Sequence, residues 1–176
     1  MSDTSDLDFQ PYEERQFEDL VAFVAADTYP YNGTPQPTVE QARAIFGRNI
    51  YKEIFWILLE KKPVGILHYQ DLGRTAELHI RLHTPYRGKG IGRRAIQWFT
   101  QWLFSQYPEK QRLEAWVRHD NGAMRAVLRS CGYVLEAKQR QVFPTGTGQF
   151  VDNAGYAILR TDWEQGTVTP VIWDGN

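Results

Sequence analysis

One segment near the middle of this 176-residue chain constrains its fold more than any other. Residues 76–82 alternate in polarity, which predicts a strand, and residues 93–99 have the apolar spacing of a helix. Between them lies a turn with three glycines, residues 87–92. Glycine adopts positive φ readily and has no Cβ, so the backbone N–H groups of such a turn can approach a ligand closely. The order strand, glycine-rich turn and helix therefore predicts an anion site at a helix N-terminus.

The charges and the glycine spacing narrow the choice of anion. Four cations, Arg87, Lys89, Arg93 and Arg94, lie within eight residues, which suits a pyrophosphate. A P-loop needs Lys-Ser or Lys-Thr after its glycines, and none follows here. A dinucleotide site needs the spacing G-x-G-x-x-G, whereas these glycines are spaced G-x-G-x-G. A pyrophosphate site of another kind is favoured, and a tight turn with a solvated basic face is the alternative.

Composition excludes several other classes. The formal net charge is −1, which argues against nucleic-acid binding driven by bulk charge. A single cysteine, Cys131, precludes an internal disulfide and predicts a reducing, cytoplasmic location. No secretory signal and no apolar stretch of about 18 residues is visible, so no membrane association is expected. The four histidines lack the spacing of metal ligands with cysteine, so no metal is expected.

The remaining patterns predict one α+β domain. The order of elements implies a central mixed, mostly antiparallel sheet with helices on both faces. The strands are expected at residues 7–10, 54–60, 63–71, 76–82, 112–118, 133–143 and 155–160. The helices are expected at residues 12–26, 38–46, 91–106 and 122–131, with Thr38 and Gln41 forming a capping box at the second.

A second motif makes a family resemblance specific. Asp120-Asn121-Gly122-Ala123 opens a helix that continues through Val127-Leu128 and ends at Cys131-Gly132-Tyr133. Together with Arg87-x-x-Gly90-x-Gly92, this resembles the GNAT superfamily of N-acetyltransferases. The later residues Asp152, Tyr156, Leu159 and Trp163 are most similar in pattern to the subfamily of ribosomal-protein N-terminal alanine acetyltransferases.

The resemblance implies a single acetyltransferase domain over residues 1–176 that uses acetyl-CoA as co-substrate. Residues 1–53 would form the N-terminal helices and the acceptor-side loop, 54–160 the cofactor-binding core and 161–176 a tail. In this family the fourth and fifth strands splay apart, and the pantetheine arm docks in the gap like an added strand. The cofactor-binding residues implied are Leu82 and His83 for pantetheine, Arg87, Gly88, Lys89, Gly90, Ile91 and Gly92 for the pyrophosphate, and Asn121, which could equally be a helix N-cap.

The resemblance also implies direct attack by a neutral primary amine in a ternary complex, without a covalent enzyme intermediate. Glu77 and His79 share one face of their strand, because side chains alternate, and are the candidate catalytic bases. A half-exposed strand face is the alternative for both, and Glu114 is a third candidate. Family members carry a tyrosine at the position of Leu128 or a serine at that of Met124, so no general acid is evident and the thiolate would leave unassisted or with another donor.

The acceptor would be a small-molecule amine or a protein N-terminus. Its pocket is expected from the N-terminal helices, the loop at 29–33 and the turn at 144–149, with Tyr29 and Tyr31 as exposed substrate contacts. Phe55 and Trp56 are expected in the core. The tail could pack on its own domain or on a second copy, which leaves a homodimer open. The alternative function is a non-catalytic, acyl-CoA-binding regulatory protein.

Overall fold

The computed structural model describes residues 6–145 and 147–173. The chain forms two compact units, residues 1–71 with 79–95, and residues 72–78 with 96–176. The predicted ranges 1–53, 144–149 and 161–176 each include residues outside this description, and the domain boundaries within the chain stay predictions.

A seven-stranded sheet has the order β1-β2-β3-β4-β5-β7-β6. It is mixed, because β4 and β5 pair in parallel whereas β1–β2, β2–β3, β5–β7 and β6–β7 pair antiparallel. The predicted α+β class and the predicted edge strand at the N-terminus are confirmed. The strands are β1 (Leu7–Pro11), β2 (Tyr51–Leu59), β3 (Lys62–Leu72), β4 (Thr75–Leu82), β5 (Arg112–Arg118), β6 (Val134–Pro144) and β7 (Phe150–Leu159).

Five α-helices accompany the sheet: α1 (Phe17–Ala25), α2 (Val39–Phe46), α3 (Ile91–Gln106), α4 (Gly122–Ser130) and α5 (Arg160–Gln165). The predicted capping box of α2 is confirmed, since Thr38 Oγ1 accepts from Gln41 N and Gln41 Oε1 accepts from Thr38 N. The first helix begins later than predicted, because Glu13 and Gln16 form a capping box around a 3₁₀ turn, Glu14–Gln16.

The segment predicted only as a tail contains α5. The buried carboxylate of Asp162 orders this segment by accepting hydrogen bonds from Thr167 and Thr169. Beyond it, Ile172 and Trp173 are exposed. The homodimer stays a prediction.

In the first unit, α1 and α2 pack their apolar faces on β2 and β3. The core they enclose consists of Leu20, Val21, Val24, Tyr29, Ala42, Phe46, Trp56, Leu58 and Ile66. Burial of each large apolar side chain stabilises the fold by about 1.5–3 kcal/mol. Gly65 allows β3 to approach β4, since a Cβ there would lie 2.6 Å from the carbonyl oxygen of Arg81. The end of β4 is thus held firmly against its neighbour.

In the second unit, β5, β7 and β6 form an antiparallel group around a core that includes Phe99, Leu103, Phe104, Leu113, Leu128 and Tyr156. Arg160 closes one end of this unit by donating to the carbonyl oxygens of Phe104, Tyr107 and Lys110. Gly155 lies beneath Trp116, where a Cβ would come within 2.9 Å of the indole ring.

The parallel pairing of β4 with β5 is short. Its register covers three residue pairs, from Thr75↔Arg112 to Glu77↔Glu114. Because β4 continues to Leu82 and β5 to Arg118, the paired part is shorter than either strand. This agrees with the predicted divergence of the fourth and fifth strands.

Within the described residues, no helix combines the length and the apolar character needed to cross a membrane.

Candidate active site

The turn between β4 and α3 is built from a short 3₁₀ segment followed by two glycines with positive φ. His83 N donates to Val64 O, and the Thr84–Tyr86 turn follows. Gly88 has φ +70° and Gly90 φ +80°, a region in which any other residue is strained. Both glycines are exposed, whereas Ile91 is buried and anchors the start of α3. The turn therefore presents its backbone to solvent on a fixed base.

The N-terminus of α3 adds an electrostatic preference for anions. The bond from Arg94 N to Gly90 O leaves the N–H groups of residues 91–93 without a carbonyl of the helix itself as acceptor. The first turn of this 16-residue helix contains no acidic residue. Lys89 is exposed, with its ammonium 5.8 Å from the ring of Tyr86. A helix dipole, backbone N–H groups of the first helical turn and an exposed cation are the features that bind phosphate groups.

Arg87 has a different position from the one expected. Its Nε donates to Leu82 O at 2.8 Å and its Nη2 to Thr28 O at 2.5 Å, and Asp27 lies 3.6 Å away. These contacts join the end of β4 to the loop after α1. The sequence counted the Arg87 charge toward the pyrophosphate, whereas its contacts are those of a structural tie. Its part in cofactor binding stays a prediction.

Asp27 completes this tie from the opposite side. Its carboxylate accepts from the backbone N–H of Thr84 and, at 2.8 Å, from the Thr84 hydroxyl. Burial acts to raise the pKa of Asp27, but the hydrogen bonds from Thr84 and Thr28 outweigh it and hold the pKa below its ordinary value. The carboxylate is therefore ionised at neutral pH and holds the turn in place.

The backbone at the end of β4 offers less to a pantetheine arm than expected. The His83 N–H already donates to Val64 O, and Leu82 O accepts from Arg87. Successive residues of a strand direct their backbone groups to opposite edges, so Leu82 N faces away from β3. The His83 ring stacks on Phe23 at 3.7 Å, and its Nε2 donates to Phe23 O. Leu82 is thus the better placed of the two predicted residues.

The two candidate bases on β4 have pKa values shifted in opposite directions. Burial raises the pKa of Glu77, and the nearby carboxylate of Glu114 adds to the effect. Burial lowers the pKa of His79 to about 4, and the charge of Arg81 contributes. The raised pKa makes the Glu77 carboxylate a better proton acceptor than an ordinary glutamate, whereas the lowered pKa makes the His79 imidazole a worse one than an ordinary histidine. Glu114 is engaged by Arg112 and by the indole N–H of Trp116 at 3.2 Å.

No new general acid emerges from the described residues around α4. Leu128 is fully buried, and Tyr133 is 2% exposed. The Tyr133 hydroxyl lies 2.8 Å from Thr100 Oγ1, and burial raises its pKa. In the same unit Asn121 caps α4, since its side chain accepts from Met124 N at 3.1 Å. The N-cap interpretation is confirmed, and a role for Asn121 at a cofactor stays a prediction.

The two loop tyrosines differ in exposure. Tyr31 is 40% exposed, as expected, but Tyr29 is 4% exposed, so the expectation that it lies at the surface is wrong. Its ring packs against two guanidinium groups, Arg81 at 5.1 Å and Arg87 at 5.5 Å. Burial raises the pKa of Tyr29 to about 12. Substrate contact by either tyrosine stays a prediction, while Phe55 and Trp56 lie in the core as predicted.

Two further polar residues, His68 and Arg81, were not singled out as site residues from the sequence. His68 on β3 is 1% exposed, stacks on His79 at 5.0 Å and packs against the tilted ring of Tyr51 at 4.0 Å. Arg81 on β4 is half-buried between Tyr29 and Phe46. The sequence signal for His68 was a polar side chain within an apolar stretch of β3, whereas Arg81 lies on the polar side of the alternating strand β4. Among the described residues, no group of three or more His, Cys, Asp or Glu is arranged to hold a metal ion.

The comparison with protein families agrees with this geometry. The family model for the acetyltransferase (GNAT) domain matches residues 6–134, or 129 of the 176 residues. The chain therefore belongs to the GNAT acetyltransferase family, as the sequence predicted. No protein with a curated function matches the chain significantly.

Solved structures show the same fold at low identity. RimL, the ribosomal L7/L12 alpha-N-protein acetyltransferase in complex with coenzyme A, is 21% identical, with a TM-score of 0.74 over 88% of this chain and 94% of its own. A GNAT-family acetyltransferase from Bacillus anthracis is 22% identical, with a TM-score of 0.72 over 89% and 96%. Spermidine N-acetyltransferase from Vibrio cholerae, with CoA and spermine, is 17% identical, with a TM-score of 0.73 over 91% and 99%.

Proposed function

We propose that this protein is an acetyl-CoA-dependent N-acetyltransferase that transfers an acetyl group to a primary amine by direct attack in a ternary complex. The observation that carries the proposal is the turn from β4 into α3. Two exposed glycines with positive φ precede a helix N-terminus whose first N–H groups have no acceptor within the helix. Family membership and two similar structures that contain CoA support the choice of cofactor.

In this proposal the diphosphate of CoA lies on the backbone N–H groups of residues 88–92, with Lys89 as the nearest mobile cation. The amide-rich pantetheine arm pairs with the edge of β4 at Leu82, where parallel pairing with β5 has ended. Asp27 and Arg87 act indirectly by fixing the turn, as their contacts with Thr84, Leu82 and Thr28 indicate.

The chemistry then needs one base. Glu77 accepts the proton that the amine loses as its nitrogen attacks the thioester carbonyl, either directly or through water. A C–N bond forms, the C–S bond breaks, and the electron pair leaves on the sulfur. A thiol with a reference pKa of about 8.5 is a tolerable leaving group without a dedicated acid. His79, whose pKa is about 4, is neutral at physiological pH and plays a secondary part at most in accepting the proton.

The acceptor class is a primary amine, either on a small molecule or at a protein N-terminus. The similar structures include both kinds of enzyme, one named for a ribosomal protein and one for spermidine. Tyr31, which is 40% exposed, is the loop tyrosine that an acceptor can reach from solvent.

The test is release of free thiol from acetyl-CoA in the presence of a panel of amines. At least one amine should give turnover, and Glu77→Gln should lower kcat by about 10²–10⁴-fold while CoA binding is unchanged. Glu109→Gln, which neutralises an exposed glutamate of the same unit, is the control and should leave kcat unaltered. An absence of turnover with every amine, or full activity of Glu77→Gln, contradicts the proposal.

A further inference from the structure

A group of polar side chains, which includes the candidate base His79, lies in the interior of the first unit. His68 and His79 stack at 5.0 Å on adjacent strands, β3 and β4. Two residues farther along β4, Arg81 lies with its guanidinium carbon 5.1 Å from the ring of Tyr29 and 5.9 Å from that of Phe46. These side chains occupy the interior of a unit whose core is otherwise apolar.

Several polar atoms of this group are buried without a hydrogen-bond partner among the described residues. They are both ring nitrogens of His68, the hydroxyl of Tyr29 and Nη1 of Arg81. His68 is 1% exposed and Tyr29 is 4% exposed, so bulk solvent does not satisfy them. A buried polar group left unpaired destabilises a fold, and three such residues within one core point to a ligand.

The charge of the group has one sign. Burial lowers the pKa of His68 and of His79, and the charge of Arg81 lowers both further, so both rings are neutral at pH 7. Burial raises the pKa of Tyr29 to about 12, so its hydroxyl keeps its proton. Within the described part of the chain, no carboxylate forms an ion pair with Arg81. Among the described residues, the positive charge of Arg81 therefore has no carboxylate partner, and the donors of Tyr29 and His68 have no acceptor.

We propose that Arg81, Tyr29 and His68 form a pocket for a carboxylate group on the acceptor, so that the acetylated amine belongs to an amino acid or to an acidic peptide. This inference rests on the proposed function and names the substrate class of the same site. A planar guanidinium matches a carboxylate in shape, and the Tyr29 hydroxyl and one His68 N–H add neutral donors.

A single cation fits a monoanion better than the alternatives. A phosphate group carries up to two charges, and one buried arginine would leave the second uncompensated. A polyamine has no anionic group, and its ammonium groups would be repelled by Arg81 in a low-dielectric environment. A carboxylate pairs with Arg81 charge for charge.

A cleft in the same unit adjoins this pocket. It has a volume of about 590 Å³, and Phe46 and Tyr51 form part of its lining. The Phe46 ring contacts both Arg81 and His68, and the Tyr51 ring lies 4.0 Å from His68 and 5.7 Å from His79. The rings of Phe46 and Tyr51 thus lie between the cleft and the polar group of His68, His79 and Arg81. Arg81 is itself only half-buried.

The experiment compares acids with their amides. Calorimetric affinities are measured, with and without CoA, for two sets of matched pairs: free α- and ω-amino acids with their primary amides, and tetrapeptides with Glu or Gln as the second residue. At least one acid should bind about 10- to 100-fold more tightly than its amide, as expected for a charge-assisted bond. The set in which the preference occurs distinguishes a free amino acid from a peptide.

Variants then assign the preference to the pocket. Arg81→Gln should abolish it, and Tyr29→Phe should reduce it. Arg43→Gln, which changes an exposed arginine paired with Glu18 in the same unit, should leave it intact. If Arg81→Gln fails to fold by circular dichroism, Arg81→Lys replaces it and should retain a weakened preference, since lysine keeps the charge and loses the fork geometry.

The inference is overturned if no acid binds better than its amide in the wild type, or if Arg81→Gln folds and keeps the preference. Thiol release is measured separately on the same compounds. A lack of turnover contradicts the proposed enzyme, whereas the ratio of acid to amide affinity decides the pocket in either case.

Discussion

The turn at residues 87–92 and the buried group of Tyr29, His68 and Arg81 represent two ways in which a protein can hold an anion. The proposed site at the turn uses backbone N–H groups at the surface, with the exposed glycines Gly88 and Gly90 and the exposed cation Lys89. The buried group uses side chains from a loop and two strands, and its single charge lies among aromatic rings. The first arrangement is local in sequence and the second depends on tertiary packing.

This difference has a thermodynamic consequence. Backbone donors at the surface exchange water for a ligand at little cost, so the turn is compatible with a stable unliganded protein. Buried donors without partners reduce the stability of the unliganded protein, so ligand binding should stabilise the buried group strongly. The pH dependence of stability and the affinity for CoA distinguish the two arrangements.

The largest expected effect is on the pH dependence of stability. The pKa of His79 is lowered to about 4 from 6.5, and that of His68 is lowered well below 6.5. Both groups thus bind protons more weakly in the folded state than in the unfolded state. For His79 the contribution to stability is complete above pH 6.5 and is lost as the pH falls through about 4, and the contribution of His68 is likewise complete above pH 6.5 and lost on acidification. For His79 alone the loss is on the order of 3 kcal/mol.

His68→Phe removes one of these groups and keeps an aromatic ring between Tyr51 and Phe46. The variant should lose less stability than the wild type between pH 7.5 and pH 4.5 in urea unfolding. The comparison at pH 7.5 controls for changes in packing. Parallel pH profiles for the two proteins would contradict the buried, neutral state of His68.

A smaller effect should separate the two cations of the turn. Arg87→Met removes the bonds to Leu82 O and Thr28 O and should lower the free energy of unfolding by about 1–3 kcal/mol. Lys89→Met removes an exposed charge and should leave stability unchanged, but it should weaken CoA binding by about tenfold. Urea unfolding and calorimetry on both variants measure the two quantities. If Arg87→Met weakens CoA binding but leaves the free energy of unfolding unchanged, Arg87 acts as a phosphate ligand and not as a structural tie.

The difference between local contacts and tertiary contacts also explains which features could be predicted from the sequence. The capping box of Thr38 and Gln41 and the bounds of α3 depend on neighbours within a few residues, and both were predicted as the structure has them. The family and the glycine turn were likewise evident from short motifs. The burial of Tyr29 was not, because it depends on guanidinium groups 52 and 58 residues away in sequence.

The contacts of Arg87 and the presence of α5 were not predicted, for related reasons. Composition counts a cation near a glycine turn as a phosphate ligand, but the acceptors of Arg87 include Thr28 O, which only the fold brings near. Helix α5 has no apolar periodicity over its six residues and is fixed instead by the carboxylate of Asp162. His68 was visible as a polar residue in an apolar stretch of β3, whereas Arg81 lies on the polar side of an alternating strand, and its contact with Tyr29 required the structure.

The most direct test of the account is calorimetric titration of CoA into the wild type, Gly92→Gln and Gly92→Glu. A Cβ at Gly92 would lie 3.5 Å from Leu82 Cδ1, an ordinary contact, so both variants should fold. The account predicts that the wild type binds CoA and that Gly92→Glu binds at least about tenfold more weakly than Gly92→Gln, because a carboxylate in the first turn of α3 repels the diphosphate. Absence of binding by the wild type, or wild-type affinity in Gly92→Glu, would contradict it.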